Sequence, residues 1–185
     1  MKKSILVILI ILPCFSTFCH SNTTGGKDLE IVVIRHGEKP DGDNNLSCKG
    51  FNRSVMLPAI LYRKFGSPAK IYIPAIENKA KTTQLRMLQT ITPLAVKYNV
   101  FINSQYGEED YTNVANALLN EKGLIVVAWD HKSIPFIVHQ LVPNAGLFKW
   151  PADDFDTICI ITFKHGKAAL SFDSENIKPA ENCTF

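Results

Sequence analysis

Residues Ile31 to Pro40 read IVVIRHGEKP, and the fold follows from how this stretch divides. Ile31 to Ile34 are a continuous run of β-branched apolar residues, the pattern of a strand buried on both faces of a sheet. Arg35, His36 and Gly37 break that run, so they stand where the strand stops. In open α/β sheets ligands bind in the crevice beyond the carboxyl ends of the strands, which delivers a guanidinium and an imidazole there on a rigid support. Gly37 permits a sharp turn and leaves room for a ligand to approach the backbone, and Pro40 closes the turn.

Upstream, Lys2 and Lys3 precede an apolar segment from Ile5 to Leu12, and the small residues Thr17, Cys19 and Ser21 suit a cleavage site. This is the pattern of a signal peptide. It divides the chain into a signal segment at 1–21 and one domain at 22–185, exported to the periplasm or secreted. The apolar run is shorter than the roughly 20 residues a spanning helix needs, so no stable membrane insertion is expected after cleavage. Bulky Phe18 argues against a lipid-modified Cys19. Without the segment the basic residues fall from 20 to 18, because Lys2 and Lys3 are lost, against 17 acidic ones. That near-neutral balance leaves no basic stripe for nucleic acid. An apolar content of 46% supports one ordinary globular domain with a sizeable core. Of the remaining cysteines, Cys159 lies in an apolar run and packs there, whereas Cys48 and Cys183 suit a disulfide in an oxidising compartment, although sequence alone does not bring them together. No Cys-x-x-Cys or His-x-His spacing suggests a metal site.

Downstream, the chain alternates helical and strand patterns. Lys49 to Lys64 reads as a helix with Pro58 as a kink, and Ile71 to Ile73 as a second strand. Thr82 or Thr83 caps a helix on which Leu85, Leu88, Ile91, Leu94, Ala95 and Tyr98 recur at helical spacing. That start places Arg86 in its first turn. Val100 to Ile102 reads as a third strand, Tyr111 to Asn120 as a helix, and Leu124 to Trp129 as a fourth, almost wholly apolar strand. Asp130 and His131 end it, and Ser133 caps a helix to about Leu141. Thr157 to Phe163 and Ala168 to Phe172, turning at His165 and Gly166, form a terminal hairpin. Strands alternating with helices predict an α/β domain with a largely parallel central sheet covered on both faces, a three-layer α/β/α sandwich.

Two of these strands end in a histidine, His36 and His131; Arg35 accompanies the first, Arg86 stands at a helix start, and their convergence would make a pocket for a phosphoryl group. Helix N-termini at Arg86 and His131 add free N–H groups that favour an anion. The residue types suit phosphoryl transfer. A neutral imidazole nitrogen attacks phosphorus with no proton to lose first, and guanidinium forks match phosphate oxygens bidentately.

The RHG of Arg35 to Gly37, LSCKGFNR from Leu46 to Arg53, TQLRMLQT from Thr83 to Thr90 and WDHKSIP from Trp129 to Pro135 resemble, in the same order, the histidine phosphatase superfamily of phosphoglycerate mutase-like and acid phosphatase-like proteins. The resemblance implies a phosphoglycerate mutase-like fold and a phosphatase working through a phosphohistidine on His36. Arg35, Arg86 and His131 would bind the phosphoryl group, with no metal or organic cofactor, on a small phosphorylated substrate or a phosphoprotein. Lys39 falls where some acid phosphatase relatives carry an extra arginine, and Arg53 stands near a helix start that could face the pocket; both equally suit a solvated surface.

The proton donor does not carry over. Mutase-like relatives place a glutamate just before a Tyr-Gly like Tyr106-Gly107, where this chain has Asn103, Ser104 and Gln105, and acid phosphatase-like relatives place an acid where it has Lys132. Glu108, Glu109 and Asp110 follow a little later and Asp130 adjoins His131; all four are candidates, and the first three also suit the start of the next helix. A missing acid implies slow turnover of alkyl phosphates. It also leaves open a second reading, a phosphate or phospholigand-binding module with weak or no catalysis. A mutase is a weaker third, since the chain lacks insertions to hold a bisphosphorylated intermediate.

Overall fold

The computed structural model describes residues 29–42, 45–77, 84–164 and 166–183. The signal segment, Thr82, Thr83 and His165 lie outside them. The strand that opens the domain, β1 (Glu30–Arg35), is buried along Ile31 to Ile34, each fully inaccessible to solvent. The chain continues through α1 (Cys48–Phe65), β2 (Lys70–Tyr72), α2 (Leu85–Tyr98), β3 (Ile102–Asn103), α3 (Tyr111–Leu119), β4 (Leu124–Trp129), α4 (Ile134–Leu141), β5 (Thr157–Lys164) and β6 (Lys167–Ser174).

The strands make one six-stranded sheet in the order β3-β2-β4-β1-β5-β6. Strands β3, β2, β4 and β1 pair in parallel, while β5 and β6 are antiparallel additions. The sheet is therefore mixed, parallel over one part only, because the last two strands are joined by a hairpin that allows no crossover.

Side-chain alternation sorts the core into two groups. Ile31 and Val33 pack with Val114 and Leu118 of α3 and with Ile137 and Val138 of α4. Val32 and Ile34 pack instead with Leu57 and Leu61 of α1 and with Met87, Ile91 and Leu94 of α2. Four consecutive apolar residues in β1 thus serve two different cores, which is why the run does not alternate with polar residues.

Several boundaries differ from the sequence reading. Helix α2 starts at Leu85 with Gln84 before it. Strand β3 begins two residues later than expected and is only Ile102–Asn103. Helix α1 begins at Cys48, where the Ser47 side chain accepts from the Gly50 N–H at 3.1 Å, an ordinary N-cap. Cys48 is disulfide-bonded to Cys183, with Cα atoms 4.8 Å apart, and Cys159 is a buried free thiol in β5. Among the described residues no helix is long and apolar enough to cross a membrane.

Candidate active site

Register builds the site. β1 and β4 run side by side so that Arg35 pairs with Trp129, and the His36 N–H donates to the Trp129 carbonyl at 3.2 Å. The next residues of both strands, His36 on one and Asp130-His131 on the other, therefore emerge together at the carboxyl ends of the sheet. Two stretches 94 residues apart in sequence, Arg35-His36 and Trp129-Asp130, are brought together by strand pairing.

His36 is fully buried, and its Nδ1 lies 2.7 Å from the Gly37 carbonyl. A carbonyl only accepts, so Nδ1 carries the proton and Nε2 is left with its lone pair. That Nε2 is buried without a hydrogen-bond partner and faces Asp130 Oδ2 at 3.6 Å. Arg86 comes from the first turn of α2, with its Nη2 3.7 Å from the same oxygen, and His131 Nδ1 is 3.3 Å from Asp130 Oδ1. His36, Arg86 and His131 thus converge on one small volume.

Arg35 is held from the other side. Its Nη1 donates to the carbonyls of Ala152 at 2.7 Å and Asp154 at 3.0 Å, and its guanidinium lies 3.8 Å over the Phe155 ring. Burial, with Arg86 nearby, lowers its pKa to about 10, which still leaves it cationic at neutral pH. Burial and the Arg35 charge also lower the His131 pKa, against the pull of Asp130, and keep that imidazole neutral.

The RHG turn rests directly on α1. A Cβ on Gly37 would stand 2.9 Å from the Gly50 carbonyl oxygen, and one on Gly50 would stand 2.1 Å from the Glu38 carbonyl oxygen. The space at Gly37 therefore admits the first turn of α1 instead of a ligand. The Gly37 N–H donates to Thr90 Oγ1 at 2.8 Å, and that hydroxyl donates to the Arg86 carbonyl at 2.7 Å. Thr90 ties the turn that carries His36 to the helix that carries Arg86.

The two candidates for a further phosphate contact have different surroundings. Arg53 is engaged by carboxylates: Nε and Nη2 donate to Glu38 at 2.9 and 2.8 Å, and Nη1 donates to Glu175 at 2.5 Å with Asp156 3.7 Å away. Its position in the second turn of α1 points it at the C-terminal segment rather than the crevice. Lys39 is exposed, with no ion pair among the described residues. The free N–H groups expected at the start of α4 are also taken: Ser133 and Ile134 donate to the Asp130 carbonyl, each at 3.0 Å, and Lys132 donates to Asp130 Oδ1 at 2.9 Å.

The acid candidates separate by environment. Burial would raise the Asp130 pKa, but the Lys132 N–H, and the His36 and His131 rings whenever they are protonated, hold its carboxyl well below the usual carboxylate range. Glu108 goes the other way: burial and the Asp130 charge raise its pKa, opposed by a 3.2 Å hydrogen bond from Gln84 and by Arg86. Its backbone is anchored by the Trp129 indole, which donates to the Glu108 carbonyl at 2.9 Å. Glu109 is exposed, and Asp110 accepts from Asn113 at 2.8 Å.

His36, Asp130 and His131 offer three ligand atoms within 4.8 Å of one another, a spacing a metal ion could use. Arg35 and Arg86 exert their charge on the same volume. Two guanidinia against one carboxylate make an anion site.

Thr90 ends one of the quoted motifs and Trp129 begins another, neither with a role that the sequence assigns, and the segment from Pro151 to Phe155 lies in none. Only Thr90 left a local signal, a hydroxyl one helical turn after Arg86, the spacing at which it reaches back to that carbonyl. The Pro151 to Phe155 segment follows no motif, and only the sheet brings it to Arg35.

No family model matches the chain, and no curated protein matches it by sequence. Solved structures match closely in shape. The protein histidine phosphatase SixA complexed with tungstate is 18% identical, with 79% of this chain and 97% of that one covered at a TM-score of 0.59. The alpha-ribazole phosphatase from Shigella flexneri is 12% identical, covering 83% of this chain and 100% of that one at 0.56. A phosphoserine phosphatase mutant from Entamoeba histolytica in complex with phosphoserine is 15% identical, covering 80% and 98% at 0.53. The fold reached from the IVVIRHG stretch is the fold of the histidine phosphatase superfamily, the phosphoglycerate mutase-like proteins.

Proposed function

We propose that the protein is a phosphatase that passes the phosphoryl group through His36, in a domain with helices on both faces of its sheet. The observation that carries this reading is the His36 ring: Nδ1 committed to the Gly37 carbonyl at 2.7 Å, Nε2 buried and unpartnered among Arg86, His131 and Asp130. Nε2 attacks phosphorus and the ester P–O bond breaks. Arg35, Arg86 and His131 donate to the equatorial oxygens, where charge has to be neutralised. Glu108, kept protonated to higher pH than an ordinary glutamate, gives its proton to the departing oxygen. Water then attacks the phosphohistidine, Glu108 takes its proton, and inorganic phosphate leaves with the Nε2 lone pair restored. Asp130 stays ionised and serves to hold the imidazoles and the α4 turn. No step requires a metal ion.

The Cys48–Cys183 disulfide supports an exported protein, because such bonds persist in oxidising compartments. The test is hydrolysis of 4-nitrophenyl phosphate by the full chain in chelator, with acid-quenched samples examined for phosphohistidine. His36→Ala is expected to abolish both signals, and Arg86→Ala to cost on the order of 10³-fold in kcat. Turnover that survives His36→Ala, or phosphate binding with no turnover in the wild type, would overturn the reading, the latter in favour of a binding module.

A further inference from the structure

Two clefts large enough for a small molecule border the segment that holds Arg35. One is lined by Glu38, Asp153, Asp154 and Asp156 together with Lys49, Arg53 and Lys178; Lys49 and Arg53 are already paired with carboxylates, which leaves the lining net negative and unfavourable to an anionic substrate. The other, about 660 Å³, starts at His131 and at the Pro151 and Ala152 backbone whose carbonyls face Arg35 Nη1. Its size is that of a small-molecule site, far more than a phosphoryl group fills. Phe136, Leu147, Phe148 and Trp150 line it, and no carboxylate does. Phe136 is 41% exposed and Leu147 58%, so this apolar surface faces the opening. Lys132 and Lys149 complete the lining, exposed and without an ion pair among the described residues.

We propose that this cleft receives the leaving group, and that the preferred substrates are phosphomonoesters of a flat, ring-bearing alcohol or phenol carrying a second anionic group. This rests on the phosphatase reading. A phosphoryl group gripped by Arg35 and His131 has the cleft as the neighbouring space free of negative charge. The aromatic walls recognise the ring, and the two unpaired ammonium groups recognise the second charge.

Phenyl, 2-naphthyl and 6-carboxy-2-naphthyl phosphate have phenolic leaving groups of similar basicity, so differences among them report the cleft rather than the chemistry. With the full chain, kcat/KM is expected to rise about tenfold from phenyl to naphthyl, the worth of burying one more ring. The carboxylate is expected to add about fivefold, carried in KM. Lys132→Ala with Lys149→Ala removes the carboxylate's advantage, and Leu147→Asp, at an exposed position, reverses it. Phenyl phosphate turned over through His36 with all three esters within twofold overturns the cleft assignment and leaves the phosphatase reading intact. Turnover of none of them removes both.

Discussion

Glu108 and Asp130 are carboxylates at one crevice whose surroundings drive them in opposite directions. The raised pKa of Glu108 means that its proton persists above the ordinary glutamate range, so the rate should fall as pH climbs through the raised value. Glu108→Gln is expected to remove that alkaline limb. It should slow alkyl phosphates by about 10²- to 10⁴-fold, while aryl phosphates, with better leaving groups, lose less. Measuring kcat against pH for an alkyl and an aryl ester checks both. Thr90 offers a second test at this scale. Thr90→Val keeps the shape and removes the hydroxyl, leaving the buried Gly37 N–H without its 2.8 Å acceptor. The expected cost is about 1–3 kcal/mol in urea denaturation, together with a loss of kcat because the His36 turn is no longer tied to α2.

At the scale of elements, the Arg53 guanidinium joins helix α1 to the turn after β1 through Glu38, to the segment after β6 through Glu175 and to the segment before β5 through Asp156. One guanidinium does not neutralise three carboxylates. Glu175, the most buried of them, has its pKa pushed up by burial to about 8 against the pull of Arg53. The folded state therefore holds a proton that the unfolded state releases near its ordinary value of 4.5, and stability should fall as pH rises from there to about 8. Glu175→Gln should flatten that slope in melts taken across the range. Arg53→Ala, which leaves the Glu38 carboxylate without its counter-charge and the buried Glu175 without its donor, should cost about 3–5 kcal/mol. The neighbouring contact is steric: Gly50→Ala should displace the RHG turn, since its Cβ would meet the Glu38 carbonyl oxygen at 2.1 Å.

Across the whole molecule, the Cys48–Cys183 bond closes a loop spanning 135 positions. It pins the C-terminal segment to the start of α1, where Asn52 also donates to the Ala180 and Asn182 carbonyls at 2.8 and 2.9 Å. Constraining so long a loop in the unfolded chain is worth about 2–4 kcal/mol in typical proteins. Cys183→Ser should lower the melting temperature accordingly, and reductant should lower it in the wild type but not in the variant.

The sequence by itself determined the local features: the buried strand ending at Arg35-His36, the second strand ending at Asp130-His131, the helical spacing around Arg86, and the terminal hairpin. Each is written in residues close along the chain, where apolar periodicity and breaking residues act directly. Cys48 and Cys183 were legible as a candidate pair and no more, because distance along the chain carries no distance in space. Only the tertiary structure decided what the functional groups face. Arg53 suited a phosphate ligand and a solvated surface equally until Glu175 met it from 122 residues away, and Glu108, Glu109, Asp110 and Asp130 were all candidate acids until burial and neighbouring charge separated them. Ionisation and hydrogen bonding depend on the whole surrounding field, which exists only once strand pairing has brought distant segments together.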